Sequence, residues 1–251
     1  MILTNDNVLK YVNYICVKEN SGSTLKPNQY NTIILASNVN LFNKQVTEAQ
    51  LMSAQSKMPF NETLFNMAAL REFQVLENIT FTTGNFDITT LANSFAYWGS
   101  MVALHNGSYK KIEILTVKEY AERRTNMVYK QLSDYPGALF NGNIIKVLPS
   151  NIATAEFVYM KNPVKPVYDY YIDADLNHIY LTAGATHLLT AGETGSAGQT
   201  AGTTVTSLTV EPEWNDLYFV EFCNEVLQKV SINLTSEQLR QYVKEVEGKQ
   251  L

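Results

Sequence analysis

The chain has 251 residues, 45% of them hydrophobic and 17% charged, with a formal net charge of −5. That is enough apolar content for one large or two small packed domains, and it excludes a disordered chain. No run approaches the ~18 uninterrupted apolar residues of a membrane span, and the start MILTNDNVLKYVN lacks the basic and apolar regions of a signal peptide, so an intracellular product is expected.

The first predicted helix covers about residues 5–18. Val8, Leu9, Val12, Ile15 and Cys16 share one of its faces. Asn20-Ser21-Gly22-Ser23 breaks it. A second helix starts near Pro27, a residue suited to the first turn, with Tyr30, Ile33, Ile34 and Leu41 inward. Thr47 and Gln50 have capping-box spacing, which predicts a third, short helix burying Leu51, Ala54 and Met58. A fourth follows Asn61, with Leu64, Phe65 and Ala68.

The apolar period then shortens from 3.6 to 2. Phe73, Val75, Ile79 and Phe81 alternate with polar residues, and Thr83-Gly84-Asn85 turns the chain. Residues 95–104 form a long apolar strand containing Trp98. Asn106-Gly107 predicts a hairpin into a partner strand with Ile112 and Ile114. Thr116 and Glu119 cap a helix to about Leu132, with Val117, Tyr120, Ala121 and Val128 inward. Tyr135-Pro136-Gly137 stops it. Asn141-Gly142 makes a second hairpin, and residues 153–160 another strand. Residues 161–166 carry two prolines and must be extended. Residues 168–172 and 179–182 read as a strand pair around Asp173-Ala174-Asp175.

Residues 183–206, AGATHLLTAGETGSAGQTAGTTVT, have few large apolar side chains. Thr-Ala-Gly recurs at Thr182, Thr190 and Thr200. The expectation is a flexible surface loop or arm. The last segment, 211–246, carries two helices. Projected at 100° per residue, Phe219, Val220, Phe222, Cys223, Val226, Leu227 and Val230 fill one arc. Glu221, Asn224, Glu225 and Gln228 fill the opposite one. Thr235 and Gln238 cap the second, with Leu239, Tyr242, Val243 and Val246 in helical register.

Charge is uneven. Residues 166–228 hold nine acids and no Lys or Arg, which leaves four surplus bases elsewhere. That predicts one acidic surface. Its bland reading is a solvated face. Lys110, Lys111, Arg123, Arg124 and Lys130 form a basic cluster diluted by Glu113, Glu119 and Glu122. Specific nucleic-acid binding is disfavoured, since phosphate contacts need clustered cations.

Catalytic chemistry is not visible. Asp173-Ala174-Asp175-Leu176-Asn177 begins like a calcium loop, but His178 replaces its glycine and Gly184 its closing glutamate. His105, His178 and His187 lack partners at metal-ligand spacing. Cys16 and Cys223 could form one disulfide, but their places on buried helix faces favour two reduced core thiols. No catalytic, cofactor-binding or metal residue is assigned, and no cofactor is expected.

Five segments carry a resemblance: VLKYVNYICVKENSGSTLKPNQYNTIILASNVNLFNKQ, LREFQVLENITF, KIEILTVKEYAERRT, NIIKVLPSNIATAEFVYMKNPVKPVYDYY and EPEWNDLYFVEFCNEVLQKVSINLTSEQLRQYVKE. Together they resemble head–tail connector ring proteins, or neck adaptors, of short-tailed Bacteroidetes phages of the crAss-like group. Residues 183–206 look like an insertion relative to that pattern. The resemblance implies a non-enzymatic virion protein. It implies a homo-oligomeric, usually twelve-fold ring between the portal and the tail, through which phage DNA passes without specific contacts. No membrane partner is implied, and the location would be the virion neck, or the host cytoplasm during assembly. The base-free stretch is then the candidate lining of the lumen.

The expected fold is α+β: a helical layer built from both termini, with a central β-rich subdomain carrying one helix. Residues 1–72 are expected to be N-terminal helices, 73–182 the β-rich subdomain and 183–206 the arm. Residues 207–251 are expected to be C-terminal helices packing on the N-terminal ones. The rival reading is a tail-associated or carbohydrate-binding β-rich module, which would be a monomer or trimer with aromatics in a shallow groove. An enzyme would need a deep pocket with convergent titratable groups.

Overall fold

The structure is a computed structural model, described for residues 2–18, 24–105, 108–125 and 135–233. It is an α+β fold with helices toward both ends and strands between them. In chain order the elements are α1 (Asn5–Lys18), α2 (Pro27–Ser56), α3 (Phe60–Asn66), β1 (Gln74–Thr80), β2 (Asn85–Asp87), β3 (Phe95–His105), β4 (Ser108–Lys111), β5 (Glu113–Ile114) and α4 (Val117–Thr125). Then come β6 (Gly137–Asn141), β7 (Ile144–Leu148), β8 (Thr154–Lys161), β9 (Tyr170–Ile172), β10 (His178–Tyr180), β11 (Thr186–Leu188), β12 (Thr194–Gly195), β13 (Thr204–Thr206) and α5 (Phe219–Asn233).

The chain divides into two compact units. The first comprises residues 1–48 and 163–251, and the second residues 49–162. The division therefore falls inside α2 and again before Pro163, not at the expected 72/73 boundary. Residues 163–182, expected in the β-rich subdomain, group with the terminal helices, and α3 groups with the sheets.

In the first unit α1, α2 and α5 share a core. Val8, Leu9, Val12, Ile15 and Cys16 of α1 are buried, as are Tyr30, Ile33, Ile34 and Leu41 of α2. Tyr11 meets Phe219 edge-on at 5.6 Å. Ser37 Oγ of α2 donates to the Glu225 carbonyl at 3.3 Å, and Gln45 Nε2 to Glu221 at 3.2 Å. With partners on two sides, α5 buries more than one arc. Phe219, Phe222, Cys223, Val226, Leu227 and Val230 are buried, but so are Asn224 and Glu225 from the predicted polar arc. Val220, predicted inward, is exposed, and Trp214 precedes the helix. The second predicted C-terminal helix lies outside the described residues.

Asparagines hold the helices to extended chain. Asn5 Nδ2 donates to the Val167 and Val210 carbonyls, which sit at an isolated antiparallel bridge. Asn31 brackets Tyr168, accepting from its N–H at 2.7 Å and donating to its carbonyl at 2.9 Å.

The predicted third helix does not exist. Between Pro27 and Pro59 the chain has no proline or glycine to break α2, which runs on to Ser56. Thr47 does not cap. Its hydroxyl donates to the Asn43 carbonyl at 2.8 Å, the back-bond of a mid-helix threonine. Leu51, Ala54 and Met58 are exposed rather than inward. In α3, Leu64 is buried and Phe65 half-buried, while Ala68, just after it, is exposed.

The second unit holds two four-stranded sheets, ordered β1-β8-β3-β4 and β2-β7-β6-β5. Their inner residues form one core, with Ile79, Met101, Ala155, Phe157 and Tyr159 from one sheet and Ala138, Ile145 and Val147 from the other. All pairs are antiparallel except β5 with β6. The second hairpin turns one residue later than expected: Asn141 pairs with Ile144, and Gly142, at φ +61°, with Asn143 joins β6 to β7 in two residues. Asn106-Gly107 lies outside the described residues, but its flanks pair with His105 opposite Ser108. Ile112 and Ile114 are not on one strand. β4 leaves its sheet at Lys111, and Glu113–Ile114 enters the other sheet as β5.

α4 has its predicted capping box. Thr116 N–H donates to Glu119 at 2.8 Å, and Glu119 N–H to Thr116 Oγ1 at 3.3 Å. Its predicted inward face is wrong, because none of its residues is buried and Val117 is 72% exposed. Val128, Lys130 and Leu132 lie outside the described residues.

Residues 183–206 are not a bare arm. β11 pairs antiparallel with β13, and β12 adds to β9 in a three-stranded sheet with β10. Leu181, Leu189 and Val205 form a small core under Tyr171. Composition missed this because main-chain pairing is open to Thr, Ala and Gly alike.

Candidate functional site

A cleft with mixed chemistry lies in the second unit. It arises from where β4 stops. β8 lies along one side of β3, while β4 covers the other side only back to Val102, opposite Lys111. One further bond follows, from Ile112 N–H to the Met101 carbonyl at 2.8 Å. From Ser100 back to Phe95, β3 has no strand on that side among the described residues.

α3 stands beside this open stretch. Phe60 meets Tyr97 edge-on at 6.0 Å, and Gln74 Nε2 donates to the Phe65 carbonyl at 2.7 Å. The Phe65 ring lies over Gly99, 2.5 Å from where a Cβ would sit, so only glycine permits that approach. Gly99 is also one of the two positions, with Ala96, at which the β3–β8 register shifts. Between α3 and the departing chain is a cleft of about 1010 Å³, lined by Phe65, Trp98, Ile112 and Ile114 with Glu62 and Lys111. Trp98 leans on Phe140 at 6.2 Å. Glu113, also on the cleft, is held by Arg123 at 2.5 Å.

A second hollow, of about 750 Å³, lies in the first unit and is lined by Asp6, Lys10, Asn13, Tyr168, His178 and Tyr180, among others. Asp6 and Lys10 pair across one helical turn at 2.6 Å. Burial, then Asp6, pushes the Tyr168 hydroxyl well up, and burial, then its bond to Glu211, does the same for Tyr180. These phenols are held neutral as hydrogen-bond donors.

The residues considered for metal binding have other partners. Asp173 accepts from the N–H groups of Asp175 and Asn177 at 2.9 and 2.8 Å, and those bonds hold its carboxyl below the ordinary range. It closes the β9–β10 turn. His187 stacks on Tyr171 at 4.0 Å and meets Glu193 at 3.0 Å. Glu193, bonded to Thr190 N–H and His187, is also held low. His178 packs on Tyr170 at 4.9 Å. No group of three or more His, Cys, Asp or Glu is placed to hold a metal among the described residues. Cys16 and Cys223 are free and buried, and burial raises both thiols, Cys223 to about 12.

The base-free stretch is less of an acidic face than its count suggests. Asp169 is 7% exposed and accepts from Tyr170 N–H, Leu208 N–H and Ser196 Oγ. Glu211 accepts from Asn5 N–H and the Tyr180 hydroxyl, Asp216 from Leu3 N–H, and Glu213 from Val164 N–H. Lys44 of α2 pairs with Glu221 at 3.5 Å and Glu225 at 4.0 Å. These acids fasten main chain within the unit. Asp175 remains exposed.

The sequence reading missed the β3 edge and the helix asparagines. A signal for the latter was present, since Asn38 falls in the stripe of Ile34 and Leu41, and Asn5 in that of Val8 and Val12. No helix among the described residues is long and apolar enough to cross a membrane. The chain matches no protein-family model and no curated protein.

Proposed function

We propose that this chain is a structural virion protein, a ring-forming head-to-tail connector between a phage portal and tail. Five sequence segments support the reading through their resemblance to neck adaptors. One observation in the first unit carries it. Leu3 N–H bonds Asp216 at 2.7 Å, which brings the start of the chain to the start of α5. Ile2 and Leu217 adjoin the bonded residues in sequence and Val220 stands in the first turn of α5; they are 65%, 89% and 49% exposed. Single exposed apolar residues are ordinary. Three at one end of a helical layer supply surface for self-association, and closed cyclic symmetry is how such a surface saturates.

The ring reading needs no catalytic residue, cofactor or metal. A lumen lined by the 166–228 stretch would present fewer free carboxylates than the sequence count suggests, because so many are bonded inside the fold. Native mass spectrometry of the full chain, alone and with portal protein, tests the proposal. A single closed oligomer of about twelve copies, broken to monomers by Leu217→Asp with Val220→Asp, is the expected result. A monomer under both conditions overturns it. A trimer, or a monomer that binds oligosaccharides, favours the tail-associated or carbohydrate-binding module.

A further inference from the structure

The geometry of the second unit points to a docking edge: we propose that the open stretch of β3 beside α3 receives an extended peptide segment of a partner protein as an added strand. This does not depend on the ring reading. Among the described residues, β3 is paired on one side by β8 from Phe95 to Ala103, with register shifts at Ala96 and Gly99, and on the other only as far back as Val102, with one further bond at Met101. An unpaired strand edge is a template for another extended backbone, and folds commonly blunt it with charge, proline or cover. Here residues 95–100, Phe-Ala-Tyr-Trp-Gly-Ser, carry no charge and no proline; the edge is modified only by the register shifts at Ala96 and Gly99 and by the Phe60 and Phe65 rings of α3.

At Trp98, Gly99 and Ser100 the edge opens on the cleft of about 1010 Å³. Side chains of an added strand would alternate, one set entering the cleft between Phe65 and Trp98 and the other turning outward. That combination, main-chain bonds for affinity and alternate pockets for selection, is how strand addition recognises peptides. An apolar surface alone would fit many occupants. The unpaired strand edge requires an extended one.

Charge narrows the partner further. Lys111 stands exposed where β4 departs, and Glu62 is exposed on α3, while Glu113 is neutralised by Arg123. The fitting segment alternates β-branched apolar residues, with a carboxylate at the end that meets Lys111 and a cation at the end that meets Glu62.

The test uses the full chain and a library of random peptides of about twelve residues. Selected peptides should share the alternating apolar pattern with an acidic end. On binding, amide exchange should slow at residues 97–100. Methylating alternate backbone nitrogens of a selected peptide should weaken it at least about tenfold, since it removes several main-chain donors and leaves every side chain in place. Lys111→Glu, a surface change, should weaken acid-ended peptides several-fold without moving the thermal midpoint. Any of three results overturns the proposal: no peptide is enriched, the methylated peptide binds equally well, or protection falls away from β3. Binding of oligosaccharides at Trp98 in place of peptides also overturns it.

Discussion

Asn38 and Trp214, 176 residues apart, meet in a buried hydrogen bond of 2.7 Å from the indole N–H to the amide oxygen. The other end of Asn38 donates to the Val164 carbonyl at 2.9 Å. One side chain on α2 thus fastens both the segment entering α5 and the chain that begins the second half of the first unit. Trp214→Phe keeps most of the ring but removes the donor. It should cost about 1–3 kcal/mol, the desolvation penalty of an amide oxygen left unpaired. Urea unfolding checks this, and an unchanged midpoint would show the bond to be dispensable.

The phase of α5 gives a second measurement. Phe222 and Val220 both lie on the predicted apolar arc, but only Phe222 is buried. Phe222→Ala should cost about 3–5 kcal/mol. Val220→Ala should cost under about 0.5 kcal/mol. Equal losses would contradict the packing of α5 between α1 and α2.

The 183–206 segment should behave as folded structure. Leu189→Ala empties some of the small core it shares with Leu181 and Val205, and should cost about 2–5 kcal/mol. Leu208→Ala, at an exposed position, should cost under about 0.5 kcal/mol. Replacing residues 185–203 by a Gly-Ser linker removes β12 from β9 and should loosen the β9–β10 pair. Amide exchange at Tyr171 and Ile172 reads that loss directly, and unchanged protection would restore the flexible-arm reading.

Acid should open the β9–β10 turn. The Asp173 carboxyl is held below its ordinary value of 3.8 by the N–H groups of Asn177 and Asp175. A depressed folded value means the contribution is fully present above pH 3.8 and is lost as pH falls through the lower folded value. The Asn177 amide signal should therefore move only at acid pH. In Asp173→Asn that titration should vanish, and a persistent one would assign it to another group.

The thiols offer a chemical check. Burial raises Cys223 to about 12 and Cys16 above its ordinary value, so neither forms thiolate readily near neutral pH. A thiol reagent should leave the native chain unmodified and label both residues once it is unfolded. Rapid native labelling would place one of them at the surface.

The sequence by itself determined the elements whose signals are local. The α1 stripe from Val8 to Cys16, the Thr116–Glu119 cap and the β6–β7 hairpin depend on neighbours a few residues away; the first two stand where the pattern put them, and the hairpin turns one residue later, at Gly142-Asn143. The absence of a proline or glycine between Pro27 and Pro59 was equally legible. It outweighs the capping spacing at Thr47, because such spacing starts a new helix only where the preceding one has stopped, and nothing there interrupts α2.

The tertiary structure decided everything that depends on what packs from a second direction. α5 buries Asn224 and Glu225 because α2 covers an arc that the helical period alone left to solvent. Ile112 and Ile114 alternate like one strand, but period 2 is the same in every sheet, so the crossing between sheets leaves no mark on it. The open edge of β3 exists only because that crossing carries β4 away. The strands of 183–206 were invisible for a related reason: a ladder is made by main-chain N–H and C=O groups, which every residue there supplies whatever its side chain.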